Sequence, residues 1–214
     1  MAKETTMPGT GDNDAGRLRW LIFLRLFITS FLLGIAVIIQ ISGDDPISEQ
    51  SLHLVLAVIG ATYLLSFFYM ILPRLRIRLG LNVSLQAIVD TVLITALVYA
   101  SGGVGSIYSI LYPLVIIYAA LFLGRRGAVL TASLAAICYG GLLDLEYFGY
   151  IHPMYGEMYQ YSFSAGYVFS RIFIHIVFFY IIAVLAVFVV ERERLAKSLL
   201  SEQEDSFRRL DLLH

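Results

Sequence analysis

The sequence predicts an all-α polytopic membrane protein with six transmembrane helices, the last of which continues as a cytoplasmic exit helix. Three observations carry this. Of 214 residues 59% are hydrophobic and the mean hydropathy is +0.80, which leaves too little polar surface to clothe a soluble globule. The apolar residues fall into six runs, each long enough at about 1.5 Å per residue to cross a hydrocarbon layer about 30 Å thick. The sixth run passes at Glu191 into the polar stretch ERERLAKSLLSEQEDSFRRLDLLH, which contains neither proline nor glycine. A helix that starts in lipid there has no local reason to stop at the membrane surface.

Residues 1–18 open with MAKETTMPGTGDNDAG, small, polar and Pro/Gly-containing, and read as a disordered cytoplasmic tail. Residues 19–190 form the transmembrane domain and 191–214 a signalling helix. Span 1 runs from about Trp20 to Ile41 and is followed by the acidic loop SGDDPISEQ. That run is too long for a cleavable signal peptide and has no small-residue cleavage site after it. Span 2 covers about Leu52 to Leu72 and is closed by Pro73 and the basic PRLRIRLG. Span 3, about Val83 to Ala100, ends at SGGVGS, where Gly102, Gly103 and Gly105 suit a tight turn and close helix approach. Span 4, about Ile107 to Leu123, contains Pro113, expected to kink it. The turn GRRG leads into span 5, about Ala128 to Tyr147, and a Tyr-rich loop to about Gly166 leads into span 6.

Charge orients the six spans. Of 15 Lys and Arg, 13 fall on one face, in the N-terminal tail, the second and fourth loops and the C-terminal helix; Arg25 and Arg171 lie inside spans and the opposite face has none. The positive-inside rule puts both termini in the cytoplasm. The other face carries Asp44, Asp45, Glu49, Glu157 and the tyrosines 99, 108, 112, 147, 150, 155, 159, 161 and 167, read as an interfacial belt. Its loops, about nine, six and nineteen residues long, are too short to fold as a separate receptor domain. If the protein senses anything, it must do so in the membrane or at its outer surface.

Ionisable residues inside the spans come next, because a charge in hydrocarbon is costly unless it is paired or reaches water. Arg25 and Asp90 lie about 8 and about 10 Å from the inner ends of their spans, so an ion pair between them is available. Near the outer side Arg171 and His175 stand one turn apart on one face of span 6, and Asp144 and Glu146 approach their level from span 5. Arg25 also has the option of snorkelling to the headgroups, and His175 that of a packing histidine.

Other chemistries fail on pattern. SGGVGS lacks the lysine of a phosphate-binding loop, no G-x-S-x-G supports a serine nucleophile, and His53, His152, His175 and His214 are scattered without a metal-ligand spacing. No cofactor, no metal and no nucleic-acid partner is expected. The single cysteine, Cys138, excludes an internal disulfide. Beyond Val190, Ala196, Leu200, Gln203, Phe207 and Leu210 recur at heptad-like spacing and predict a weak seam for a homodimer.

The run VDTVLITALVYASGGVGSIYSILYPLVIIYAALFLGRRGAVLTASLAAICYG, followed by RIFIHIVFFYIIAVLAVFVVERERLAKSLLSEQEDSFRRLDLLH, resembles the six-span sensor region of PilS-like, pilin-regulator-type two-component histidine kinases. The resemblance rests on Asp90 ahead of Gly102-Gly103 with Ser106 just after, the basic turn Gly124-Arg125-Arg126, and the exit Glu191-Arg192 into a leucine-bearing helix. It implies a parent that continues into a PAS domain and kinase domains, absent from this stretch, so that the chain itself is no enzyme and His214 no phosphoacceptor. It further implies a membrane-borne stimulus, a membrane-protein helix or a change in the lipid. The contrasting reading is a substrate-binding subunit of a vitamin-type importer, which would need a buried polar pocket and no long exit helix.

Overall fold

The computed structural model describes Phe23, Phe27, Ser30 and Phe31 together with residues 49–71, 79–151 and 164–211. The N-terminal tail, Arg25 and most of the Tyr-rich loop before residue 164 lie outside them, as do the side chains of Phe207 and Leu210. Every regular element among the described residues is helical: α1 (Glu49–Ile71), α2 (Leu79–Ala100), two short 3-10 turns (Gly103–Gly105 and Ile107–Leu111), α3 (Tyr112–Tyr147) and α4 (Ala165–Asp211). With no water in hydrocarbon to satisfy the backbone, helices are what such apolar runs must form.

α3 is two arms rather than one rod. Gly124 sits at φ 69°, ψ −156° in its middle, a region that essentially only glycine occupies. At Gly127 any side-chain carbon would overlap Leu123. The result is a hairpin: Tyr112 and Tyr139 would lie about 40 Å apart on an unbroken helix, yet their ring centroids are 5.9 Å apart.

The core forms where these arms meet α4. Tyr112, Ile116 and Ala120 of the first arm pack with Ala128, Ala132, Ala135 and Tyr139 of the second and with Val168, Phe179 and Ala183 of α4. The alanines of the second arm let helix backbones approach closely, the usual basis of helix association in lipid. α1 joins through Val55 and Ile59 against Leu97 and Ala100 of α2, an antiparallel contact.

Three stretches are long and apolar enough to cross a membrane, Gly80–Ala100, Ile107–Tyr147 and Ala165–Gln203, and Val55–Phe68 adds a shorter apolar run. Since the second of these doubles back at Gly124, α2, the two arms of α3 and α4 run alternately up and down the bundle. α2 begins four residues before the expected Val83, because Asn82 and Gly80 look unsuited to lipid but are readily held within a helix.

Pro113 does not kink span 4. It lies in the first turn of α3, just after the 3-10 lead-in Ile107–Leu111, where its missing N–H costs nothing and its fixed φ favours helix initiation. α4 is continuous for 47 residues, about 70 Å, and passes Val190 and Glu191 without a break. Such an exit helix fails one of the conditions set for the importer reading.

Candidate functional site: a polar network through the helix bundle

Polar side chains inside the bundle form two groups joined by a buried aromatic cluster. The group nearer the GRRG end lies on α2, where Asn82, Gln86 and Asp90 recur every four residues and are all buried. Gln86 Nε2 donates to Asn82 Oδ1 at 3.1 Å, while Gln86 Oε1 is buried without a hydrogen-bond donor. Asp90 Oδ2 accepts from the Tyr118 hydroxyl of α3 at 3.0 Å. The proposed partner Arg25 lies outside the described residues. Asp90 is thus held against the first arm of the hairpin, at a depth where a carboxylate needs such donors.

One turn further along α2, the Thr95 hydroxyl donates to the Thr91 carbonyl oxygen and meets the Tyr112 hydroxyl at 2.8 Å. Tyr112 was expected in the interfacial belt, but it is fully buried. Its ring packs on Tyr139 and, at 5.2 Å between centroids, on Phe179. Burying the ring while Thr95 satisfies the hydroxyl is the favourable arrangement for a tyrosine. Tyr147, Tyr150 and Tyr167 are exposed, as an interfacial position requires.

His175 of α4 lies over Tyr139, with centroids 4.4 Å apart and planes inclined by 31°. Its Nδ1 is 2.9 Å from the Arg171 carbonyl oxygen, which can only accept, so Nδ1 carries the proton. Nε2 lies 3.1 Å from Ser109 Oγ, which also donates to the Ser106 carbonyl oxygen at 3.4 Å. Arg171 and His175 share a helix face as their spacing predicts. Both ring nitrogens of the histidine have partners, and the side chain links α4 to the turn before α3.

That turn belongs to the second group, at the opposite end of the bundle. Gly102 and Gly103 adopt φ 113° and 56°, open to glycine at little cost. Glu146, at the end of α3, reaches back so that its carboxylate accepts the Val104 N–H at 3.1 Å. A side-chain carbon at Gly103 would overlap that carboxylate, so this glycine permits the clamp as well as the turn. Gly105 has open space beside it and makes no such close approach. Ser101 and Ser106 hydroxyls meet at 2.6 Å, and Ser106 Oγ accepts the Tyr108 N–H at 3.2 Å.

Arg171 does not pair with the nearby acids. Its guanidinium carbon stands 5.8 Å from the Tyr167 ring centroid, and among the described residues no carboxylate oxygen comes within 4.0 Å of it. Arg171 Nε and Asp144 Oδ1 are each buried without a hydrogen-bond partner. The level shared by Arg171, Asp144 and Glu146 is therefore met with Glu146 committed to the glycine turn.

In the exit helix Ala196, Leu200 and Gln203 are exposed, but so are Leu195 and Leu199 beside them. The apolar surface there is wider than the expected seam.

Sequence reasoning missed Asn82, Gln86, Tyr118, Ser109 and Thr95. The four-residue spacing of Asn82, Gln86 and Asp90 was a legible signal for a buried stripe. Tyr118 and Ser109 carried none, since their role depends on which helix stands opposite.

No curated protein and no solved structure matches this chain. A six-transmembrane family model, described as the PilS-like transmembrane domain, matches residues 9–200, which takes in the whole of residues 19–190 and the start of the exit helix. The chain belongs to the PilS-like transmembrane domain family.

Proposed function

We propose that this chain is the membrane-embedded sensing and signal-transmitting module of a two-component histidine kinase. It crosses the bacterial inner membrane six times with both termini cytoplasmic, acts as a homodimer, and relays a membrane-borne cue through α4 to kinase domains of the parent chain. The cue is a membrane-protein helix or a change in the surrounding lipid. The observation that carries the proposal is the unbroken course of α4 past Val190 into its polar end: a rod anchored in the bundle core by Phe179 and Ala183 transmits rotation or displacement to whatever follows it.

The polar network sets the resting position of that rod. Ser109 and His175 tie α4 to the turn ahead of α3, and the Glu146 clamp ties the far end of α3 to the same region. Asp90 and Tyr118 hold α2 against the first arm. A two-state shift of such packed helices is a low-cost form of switching.

The test is a fusion of a reporter kinase's cytoplasmic part after His214, with residues inserted after Glu193. Each insertion turns the following helix by about 100°. Kinase output is expected to change with one or two insertions and return near seven, the heptad repeat. Output indifferent to helical phase, or equal output with a Gly-Pro break at the same point, would exclude transmission through α4.

A further inference from the structure

We propose that the hairpin turn Gly124-Arg125-Arg126-Gly127 and Arg194 of α4 together bind the phosphate of an anionic lipid headgroup, which staples the hairpin to the exit helix. The inference rests on the reading of the chain as a bilayer-spanning module but is independent of its proposed orientation.

The geometry starts at Gly124. A side-chain carbon there would lie 4.0 Å from Arg194 Nη1, so the guanidinium of the exit helix reaches the turn itself. The turn carries Arg125 and Arg126, both exposed, and Arg194 is exposed too. Among the described residues none of the three has a carboxylate within 4.0 Å. On α4, Lys197 pairs with Glu193 at 2.5 Å and Arg192 stands over the Phe188 ring at 5.0 Å, while Glu191, three residues before Arg194, is exposed.

Arg194 reaches a turn that itself carries two arginines, so three positive charges are concentrated in one region, and an anion there offsets their mutual repulsion. Depth selects the anion. Arg194 follows Val190, where the apolar part of α4 gives way to ERER, so the cluster stands at the level of lipid phosphates. A phosphodiester offers two unesterified oxygens to the planar forks of arginine. Such a headgroup would touch the α3 hairpin and α4 at once, at the point where α4 leaves the bundle, and would thereby make the position of the exit helix depend on the lipid around it.

The full chain is reconstituted in nanodiscs of phosphatidylcholine containing stepped fractions of phosphatidylglycerol, and retained phosphatidylglycerol is counted by native mass spectrometry. Because both leaflets carry the anionic lipid, orientation does not enter. The wild type is expected to retain it in preference to phosphatidylcholine, and Arg194→Gln and Arg125→Gln each to weaken that retention about fivefold. Lys197→Gln, an equal loss of charge one turn along the same helix, is expected to leave it unchanged. All the substitutions are at exposed positions, and unaltered helix content by circular dichroism verifies that the variants fold.

Equal losses in Lys197→Gln and Arg194→Gln would reduce the effect to diffuse surface charge and overturn the site. Displacement of the lipid by inorganic phosphate at matched ionic strength would overturn the assignment to a headgroup, as would a wild type with no lipid preference. Any of these outcomes leaves the sensor reading intact, since that is measured by kinase output.

Discussion

Ser109 Oγ lies 3.1 Å from His175 Nε2 and joins the turn ahead of α3 to the helix that leaves the bundle. Ser109 Oγ also donates to the Ser106 carbonyl oxygen at 3.4 Å, and His175 Nδ1 is 2.9 Å from the Arg171 carbonyl oxygen. Together these contacts hold the ring between α4 and the turn.

Ser109→Ala removes that partner and leaves a half-buried ring nitrogen unsatisfied, at a cost of about 1–3 kcal/mol. Denaturation in detergent is expected to show this loss, while Ser109→Thr, which keeps the hydroxyl, is expected to lose less. Identical melting of wild type and Ser109→Ala would mean that the bond contributes nothing to holding α4.

The Gly103 and Glu146 pair predicts non-additivity. Gly103→Ala strains a residue at φ 56° and drives its side-chain carbon into the Glu146 carboxylate, together a loss of about 1–3 kcal/mol or more. Glu146→Ala removes the obstacle, so the double variant is expected to be more stable than the sum of the two single changes requires. Simple addition in a double-mutant cycle would show that the clamp is not tight.

Asp90→Asn keeps an oxygen for the Tyr118 hydroxyl but removes the charge, and Tyr118→Phe does the reverse. If the charge of Asp90 sets the resting state, Asp90→Asn shifts the basal output of the reporter fusion and Tyr118→Phe shifts it less. Tyr118→Phe still costs about 1–3 kcal/mol of stability, the usual result of withdrawing a donor from a buried acceptor. Unchanged basal and stimulated output in Asp90→Asn would leave that residue a purely structural role.

Glycines separate into those that shape the backbone and those that do not. Gly124→Ala strains the hairpin at φ 69° and is expected to cost about 1–3 kcal/mol. Gly141 lies within α3 with nothing within 4 Å of a side-chain carbon, so Gly141→Ala is expected to stabilise by up to about 1 kcal/mol. Chemical denaturation of both variants checks the contrast; equal effects would argue against the hairpin.

The sequence alone determined the features that hydropathy and local backbone chemistry encode. The all-helical class, the runs that became α1, α2, the two arms of α3 and α4, the turns at Gly102-Gly103 and Gly124, and the unbroken exit past Val190 all follow from residues close together in the chain. Family resemblance was legible for the same reason, in the order of those features.

Partner choice belonged to the tertiary structure. Tyr112 looked interfacial by its place in the chain but is buried against Tyr139 and Phe179; Pro113 looked like a kink but begins a helix. Glu146 turned to the glycine turn instead of Arg171. The physical reason is helical geometry: one residue rotates a side chain by about 100° and raises it by about 1.5 Å, so which polar groups meet depends on the relative rotation and depth of whole helices, and neither is written in any local stretch of sequence.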